Sequence, residues 1–277
     1  MKLFVQGRLD GTGSCIYYCL YMIALSEKYK FKVYFNYVNT STRPTLTRDK
    51  EIIDFFNIKT IRGIPQNLDS LDSIKYFLEN KLYEGSKNYY IKQWRNYTEL
   101  VKENYLTINE IFNTDFIDKR IKLFEKFKNK LNNKFYNVGI HLRRGDVGKD
   151  KIHRPPDGGN KFKGRYMRDE EYIKVLDKLK EEGKDICLYI FTDETDIKNL
   201  YKFKKYKNIK YYNTERDFKE SHNVFRDWKM IVNLDCFIFG ISTFAYVPAL
   251  FNKNRKIYFR ECHNNCNQYT MKEWELV

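Results

Sequence analysis

Acidic residues are the scarce charge in this chain: 36 Asp and Glu stand against 51 Lys and Arg over 277 residues, a formal net charge of +15. That balance suits an anionic partner, whether nucleic acid, an acidic membrane face or a nucleotide. The lysines are scattered, however, and accompany abundant Asn, Ile, Tyr and Phe, so the charge reads first as compositional background. A basic nucleic-acid-binding protein is kept as an alternative, not as the main reading. Long hydrophobic runs are also missing. The most apolar stretch, Cys236 to Phe251, is too short to span a bilayer and is interrupted by Gly240, Ser242, Thr243 and Pro248. Met1-Lys2-Leu3-Phe4-Val5 reads as a short strand, not as a signal peptide. These absences predict a cytoplasmic protein without a transmembrane segment, at most peripheral to a membrane.

Cysteine is sparse: positions 15, 19, 187, 236, 262 and 266, mostly beside apolar residues. This spread fits reduced, buried thiols better than a disulfide frame, with Cys15–Cys19 and Cys262–Cys266 left as open links. Cys262-His263-Asn264-Asn265-Cys266 lacks a second ligand pair at suitable spacing, so no metal is expected. Glycine is thin as well, and Gly7, Gly11 and Gly13 do not match a dinucleotide fingerprint. NAD and FAD are therefore not expected. No internal repeat and no low-complexity linker is visible. What is abundant is apolar and aromatic material, 42% and 17%, enough for a packed interior.

Strand and helix patterns alternate, which points to an α/β fold with parallel sheets and helices on both faces. Lys2–Gln6 reads as a strand, Ser14 through Lys28 as a helix and Phe31–Tyr37 as the next strand, a βαβ opening. The middle, Asp49 to Asn133, reads as mainly helical, with Phe116, Ile117, Ile121, Phe124 and Leu131 near one helix face. A second alternation starts at Phe135. Strands are predicted over Phe135–Leu142, Ile186–Phe191, Ile209–Tyr212, Cys236–Phe239 and Lys256–Phe259. Helices are predicted over Asp169–Glu182, with Tyr172, Val175, Leu176 and Leu179 inward, and over Asp196–Tyr206, His222–Leu234 and Thr243–Phe251. The expected domains are 1–133 and 134–260, facing across a cleft, with a tail 261–277 that packs back on the first.

Polar groups gather at the strand ends of the second half. Asn137-Val138-Gly139-Ile140-His141-Leu142-Arg143-Arg144-Gly145-Asp146 reads as a buried strand delivering two guanidiniums and a carboxylate into a turn. Paired arginines suit a diphosphate, because guanidinium forks match phosphate oxygens in pairs. A solvated basic turn is the plainer reading of the pair alone. The next strand ends in Phe191-Thr192-Asp193-Glu194. A helix carries Asp227, and a strand-to-helix passage carries Gly240-Ile241-Ser242-Thr243-Phe244, whose free amides and hydroxyls suit phosphate. Taken singly, Ser242 and Thr243 are ordinary helix caps and Asp227 an ordinary helix residue. In a doubly wound sheet the four ends converge, and together they favour a site. Gly145 to Arg168 is a long irregular stretch, fit to close over a ligand.

These residues carry a resemblance. His141-Leu142-Arg143-Arg144-Gly145-Asp146 is similar to the His-x-Arg-Arg-x-Asp motif of the α-1,2-fucosyltransferase family and its relatives that use GDP-fucose. Phe191-Thr192-Asp193-Glu194, the block from Asp227 through Leu250 and the opening Gly7-Arg8-Leu9 resemble further family segments, in order. The family's Gly-Asn-Gln turn is replaced by Asp10-Gly11-Thr12-Gly13-Ser14, and its aromatic pair after Ser-Phe is Ala245-Tyr246 here.

The resemblance implies a GT-B arrangement of two Rossmann-like domains, with the glycan acceptor on the first and a GDP-sugar on the second. It implies an inverting, metal-independent glycosyltransferase that moves fucose or a related deoxyhexose to an oligosaccharide or glycan, with no cofactor beyond the donor substrate. A catalytically inactive sugar-nucleotide-binding module is the second alternative. By the same resemblance Arg143 grips the β-phosphate, and Arg144 supports the loop or the same anion. His141 and Asp227 lie near guanine or ribose, Ser242 and Thr243 bind phosphate, and Asp193 and Phe244 complete the donor site. Arg143, Asp146 and Asp10 are the candidate catalytic residues, and for the general base Asp157 and His153 remain open beside Asp146 and Asp10. No Asp-x-Asp occurs in the chain, which speaks against a metal-bridged diphosphate. The missing anchor speaks against a Golgi enzyme and for a bacterial or virus-encoded one.

Overall fold

The computed structural model describes residues 1–6, 12–36, 50–91, 99–103, 105–125, 127, 131, 133–144, 167–194, 196–206, 209–213, 224–259 and 271–277. The fold class is the expected one: α/β, built on two parallel sheets. The chain divides into two compact units, Met1–Arg120 with Gln268–Met271, and Ile121–Asn267 with Lys272–Val277.

In the first unit, β1 (Lys2–Gln6), β2 (Lys32–Asn36), β3 (Thr60–Ile61), β4 (Asp69–Leu71) and β5 (Tyr89–Ile91) form one sheet in the order β3-β2-β1-β5-β4. Every adjacent pair is parallel. Such a sheet is covered on both faces, which is why Leu3, Phe4 and Val5 are all buried. Phe4 stacks on its register partner Tyr34 at 5.5 Å. The helix α1 (Thr12–Lys28) is buried on nearly all sides, from Cys15 through Met22 without a break. It ends where Lys30 takes a left-handed φ of 58° and the Phe31 amide donates back to the Ser26 carbonyl, at 3.1 Å. Cys15 and Cys19 are buried and not disulfide-bonded, so the link left open between them is not formed.

The middle departs from the helical expectation. Short helices are present at Lys50–Phe55, Ile74–Glu79, Glu99–Lys102 and Ile108–Ile111, but β3, β4 and β5 run among them. These strands hold two or three residues each, too few to show a period of two. The helix α2 (Thr114–Phe124) buries Phe116, Ile121 and Phe124 as expected. The units part between Arg120 and Ile121, upstream of the predicted boundary, because the Phe124 ring stacks on Phe251 at 5.8 Å within the second unit.

The second sheet contains β6 (Tyr136–Leu142), β7 (Ile186–Thr192), β8 (Lys210–Asn213), β9 (Cys236–Phe239), β10 (Arg255–Tyr258) and β11 (Glu275–Leu276). Their order is β11-β10-β9-β6-β7-β8, again all parallel. Three helices matter for the site: α3 (Asp169–Glu181), α4 (Val224–Ile231) and α5 (Thr243–Phe251). The stretch Ile197–Lys205 winds as a 3-10 helix with a break at Leu200. β11 pairs with β10, Ile257 opposite Glu275, and Trp274 packs edge-on against Phe239 at 5.1 Å. The last residues of the expected tail thus extend the second sheet.

Alternation along β6 sorts its side chains between two faces. Val138, Ile140 and Leu142 are fully buried in the core that Tyr172, Leu176 and Leu179 of α3 complete. Gly139 and His141 point the other way. At Gly139 a Cβ would come within 2.3 Å of a Leu234 side-chain carbon and 3.1 Å of the Phe191 ring, so only glycine lets these groups meet the strand.

Candidate functional site

Strand order fixes where a site is expected. The chain leaves β6 to build β7 and β8 on one side, then returns to build β9, β10 and β11 on the other. β6 and β9 are therefore the pair where the order reverses, and a crevice opens outside the carboxyl ends of such a pair. The residues there are His141 near the end of β6, Arg143 and Arg144 just after it, and Ser242, Thr243 and Phe244 after β9.

The structure brings part of the predicted constellation together. The His141 imidazole stacks on the Phe244 ring, 5.1 Å between centroids and 23° between planes. Phe244 also leans on Trp228 of α4 at 6.0 Å. Thus β6, α4 and α5 meet through three rings, and Asp227 is the residue before the third. His141 is buried, and its backbone carbonyl accepts a 2.7 Å hydrogen bond from the Tyr172 hydroxyl of α3. Burial, with the charges of Arg143 and Arg144 added to it, pushes the His141 pKa down to about 3. The ring is therefore neutral at physiological pH, and the local positive charge is carried by the guanidiniums.

Asp227 has no exposed surface, and burial drives its pKa up to about 7. Arg226 reaches one carboxylate oxygen at 3.2 Å and offsets only part of that rise. The other oxygen, Oδ2, is buried with no hydrogen-bond partner, and so is the neighbouring Trp228 Nε1. Leaving such groups unpaired costs about 1–3 kcal/mol each. The two unpaired polar atoms sit on adjacent residues of α4, and the second of these residues packs on the Phe244 ring.

Ser242 is the N-cap of α5, with extended backbone (φ −157°, ψ 122°), and its buried side chain makes no capping hydrogen bond. Its carbonyl accepts from Ala245 and Tyr246, which closes the first turn. Among the helix positions before Ala245, the Thr243 and Phe244 amides lie at the positive end of the helix, the usual seat for an anion.

The two arginines separate. Arg144 is buried, 3% exposed, and its guanidinium donates to Asp169 Oδ1 at 2.6 Å and to the Arg143 carbonyl at 3.3 Å. Of the two roles expected for it, support of the turn is the one its geometry fits; contact with an anion has no such observation behind it. Asp193, expected at the ligand, accepts the Arg144 backbone amide at 2.5 Å. Arg143 is half-buried, and alternation along β6 carries it toward the face of His141, whose proton affinity its charge depresses. Asp169 had no signal in the sequence: an acid at the start of a helix is ordinary, and nothing local links it to Arg144. Trp228 likewise reads as one more core aromatic.

The candidate bases Asp10, Asp146, Asp157 and His153 lie outside the described residues, as do Gly145 to Tyr166 of the long irregular stretch and the Cys262–Cys266 segment. Among the described residues no group of three or more His, Cys, Asp or Glu is placed to hold a metal ion, and no helix is long and apolar enough to cross a membrane.

No family model matches the chain, and no curated protein does either. Solved structures resemble it over most of its length. The fucosyltransferase NodZ from Bradyrhizobium shares 12% identity, with 94% of each chain covered and a TM-score of 0.48. The Arabidopsis thaliana protein FUT1, solved as a mutant with GDP, shares 10% over 95% of this chain and 72% of its own, at 0.47. The heptosyltransferase WaaC of E. coli, solved with ADP, shares 9% over 100% and 92%, at 0.49. At such identities and scores these likenesses fix neither substrate nor mechanism.

Proposed function

We propose that this protein is a glycosyltransferase that takes a GDP-sugar, fucose or a related deoxyhexose, and transfers the sugar to a glycan hydroxyl with inversion and without a metal. One observation carries the proposal. The His141 and Phe244 rings stack at 5.1 Å across the β6–β9 switch point, which brings the strand end that leads into Arg143 beside the positive amino end of α5.

In this reading Arg143 holds the β-phosphate of the donor, and the Ser242 hydroxyl and the first amides of α5 hold phosphate oxygens. The orphaned Asp227 Oδ2 accepts from N–H groups of the purine, beside His141. The acceptor oxygen attacks the anomeric carbon as the bond to the diphosphate breaks, and GDP departs with the bonding pair. The acceptor's proton passes to a base in the group Asp10, Asp146, Asp157 and His153. Negative charge grows on the leaving diphosphate, so donors already fixed around it lower the barrier. The absence of Asp-x-Asp agrees with guanidinium serving where other enzymes use a divalent cation.

The test is a thermal-shift screen of nucleotide diphospho-sugars, followed by calorimetric titration of GDP into wild-type protein and Arg143→Lys. GDP-sugars are expected to raise the melting temperature, since a ligand bound only to the native state stabilises it. Arg143→Lys is expected to lose most GDP affinity while melting as wild type does. A variant that binds GDP normally sinks the assignment. Tight GDP binding with no GDP released from any donor and glycan acceptor would leave the inactive-module alternative.

A further inference from the structure

Arg144 is fastened from two directions. Its guanidinium is held by Asp169 at the first position of α3, N–O distance 2.6 Å, with side-chain exposures of 3% and 13%. Its backbone amide is held by Asp193 at the end of β7. A buried arginine paired this closely forms a strong, directional contact, and the amino end of α3 favours the carboxylate. With the backbone of residue 144 tied to β7 and its side chain tied to α3, the residue that precedes it has little freedom. That residue is Arg143, whose carbonyl also accepts from the Arg144 guanidinium.

We infer that Asp169 and Asp193 are positioning residues: they lock Arg144 against α3 and β7 so that Arg143 is presented to the second phosphate of a bound nucleoside diphosphate. The inference rests on the proposed function, because it needs Arg143 to meet a diphosphate. It deepens that reading by dividing the arginine pair into one ligand and one brace.

The test compares GDP with GMP by calorimetry, using wild type, Arg143→Ala, Asp193→Ala, Asp169→Asn and Asp169→Glu. GMP lacks the β-phosphate, so the ratio of the two affinities reports on that contact alone. Wild type is expected to prefer GDP. Asp193→Ala, which removes the acceptor of the Arg144 amide, and Asp169→Asn are expected to lose about ten- to a hundred-fold of GDP affinity with GMP affinity unchanged, since small misplacements of a binding group have effects of that size. Asp169→Glu, which keeps the charge, is expected to recover part of the loss. Should Asp169→Asn fail to fold, Asp193→Ala still decides the matter. The full wild-type preference for GDP retained in Asp193→Ala, but lost in Arg143→Ala, overturns the positioning role and leaves the proposed function standing. Equal weakening of GDP and GMP also overturns it, as plain structural damage. Wild-type protein that binds neither nucleotide overturns both.

Discussion

Each of the two parallel sheets reverses its strand order once, and the chemistry at the carboxyl ends there differs. In the first unit the order reverses between β1 and β5, and among the described residues the polar side chains Gln6, Asn36 and Tyr90 near that point are uncharged. The Gln6 side-chain oxygen accepts from the Asn36 amide at 3.4 Å and from the Tyr90 hydroxyl at 3.0 Å. In the second unit the equivalent place, between β6 and β9, holds two arginines, a neutral buried histidine and a buried acid with an orphaned oxygen. A parallel sheet with a switch point supplies the crevice in both cases; only the residues decide what it accepts. Amides and a phenol suit neutral hydroxyls. Guanidinium beside a helix amino end suits an anion.

The sharpest way to break that contrast is Arg143→Lys. Lysine keeps the charge but loses the paired donors, so a contact that depends on fork geometry should fail. Removing one such preorganised donor costs about 2.7–4 kcal/mol in other enzymes, a loss of about a hundred- to a thousand-fold in turnover. Release of GDP from a GDP-sugar measures it. An Arg143→Lys protein with ordinary turnover would reduce the second crevice to a basic surface.

Asp227→Asn examines the second contrast, between a cluster whose unpaired buried atom, Asn36 Oδ1, is a neutral amide oxygen and one whose unpaired atom belongs to an ionisable acid. Burial raises the Asp227 pKa to about 7, from the ordinary carboxylate value of 3.8. Between these values the unfolded chain has released the proton while the folded one retains it, so stability falls as pH rises across that window. Below it the acid is protonated in both states and contributes nothing. Above about pH 7 the loss is complete. Asp227→Asn is therefore expected to melt like wild type near pH 3.5 and progressively higher than wild type up to pH 7.5, each followed by a thermal scan. GDP affinity should move the other way: in wild type it increases through pH 7 as the purine's acceptor becomes ionised, and in Asp227→Asn that increase disappears.

How much of the fold and site was legible in the sequence depended on range. The run from Asn137 to Arg144 declares its strand by composition and its site by the arginine pair that ends it. Ser242 and Thr243 declare a helix start by type. β3, β4 and β5 could not be seen, because strands of two or three residues have no periodicity, and only their register with neighbouring strands makes them strands. The fastening of Arg144, on which the proposed division of labour rests, was equally invisible. It depends on Asp169, 25 residues away, and on Asp193, 49 away, and neither spacing leaves a local mark.

Gly139→Ala addresses the packing beneath the second crevice. The added methyl would meet Leu234 at 2.3 Å, with Phe191 and Phe237 close behind. Overpacking of this kind typically costs about 1–3 kcal/mol. A drop in melting temperature of several degrees is expected, with residual GDP affinity measured below that temperature. Alanine at Gly63 is the useful control: nothing lies within 4 Å of its Cβ, so only its left-handed φ of 76° is strained. If the two variants melt alike, the side chains around Gly139 yield at little cost and their close approach is not what requires glycine there.

The smallest effect belongs to Tyr90→Phe. The Tyr90 hydroxyl donates to Gln6 in the first unit at 3.0 Å and is part-buried. Losing it removes one neutral hydrogen bond, worth about 0.5–1.5 kcal/mol. Because nothing in the proposed function connects Gln6, Asn36 or Tyr90 with the nucleotide, GDP affinity should equal that of wild type within error. If instead Tyr90→Phe weakened GDP binding as Asp193→Ala is expected to, the assignment of the nucleotide to the β6–β9 crevice alone would be untenable.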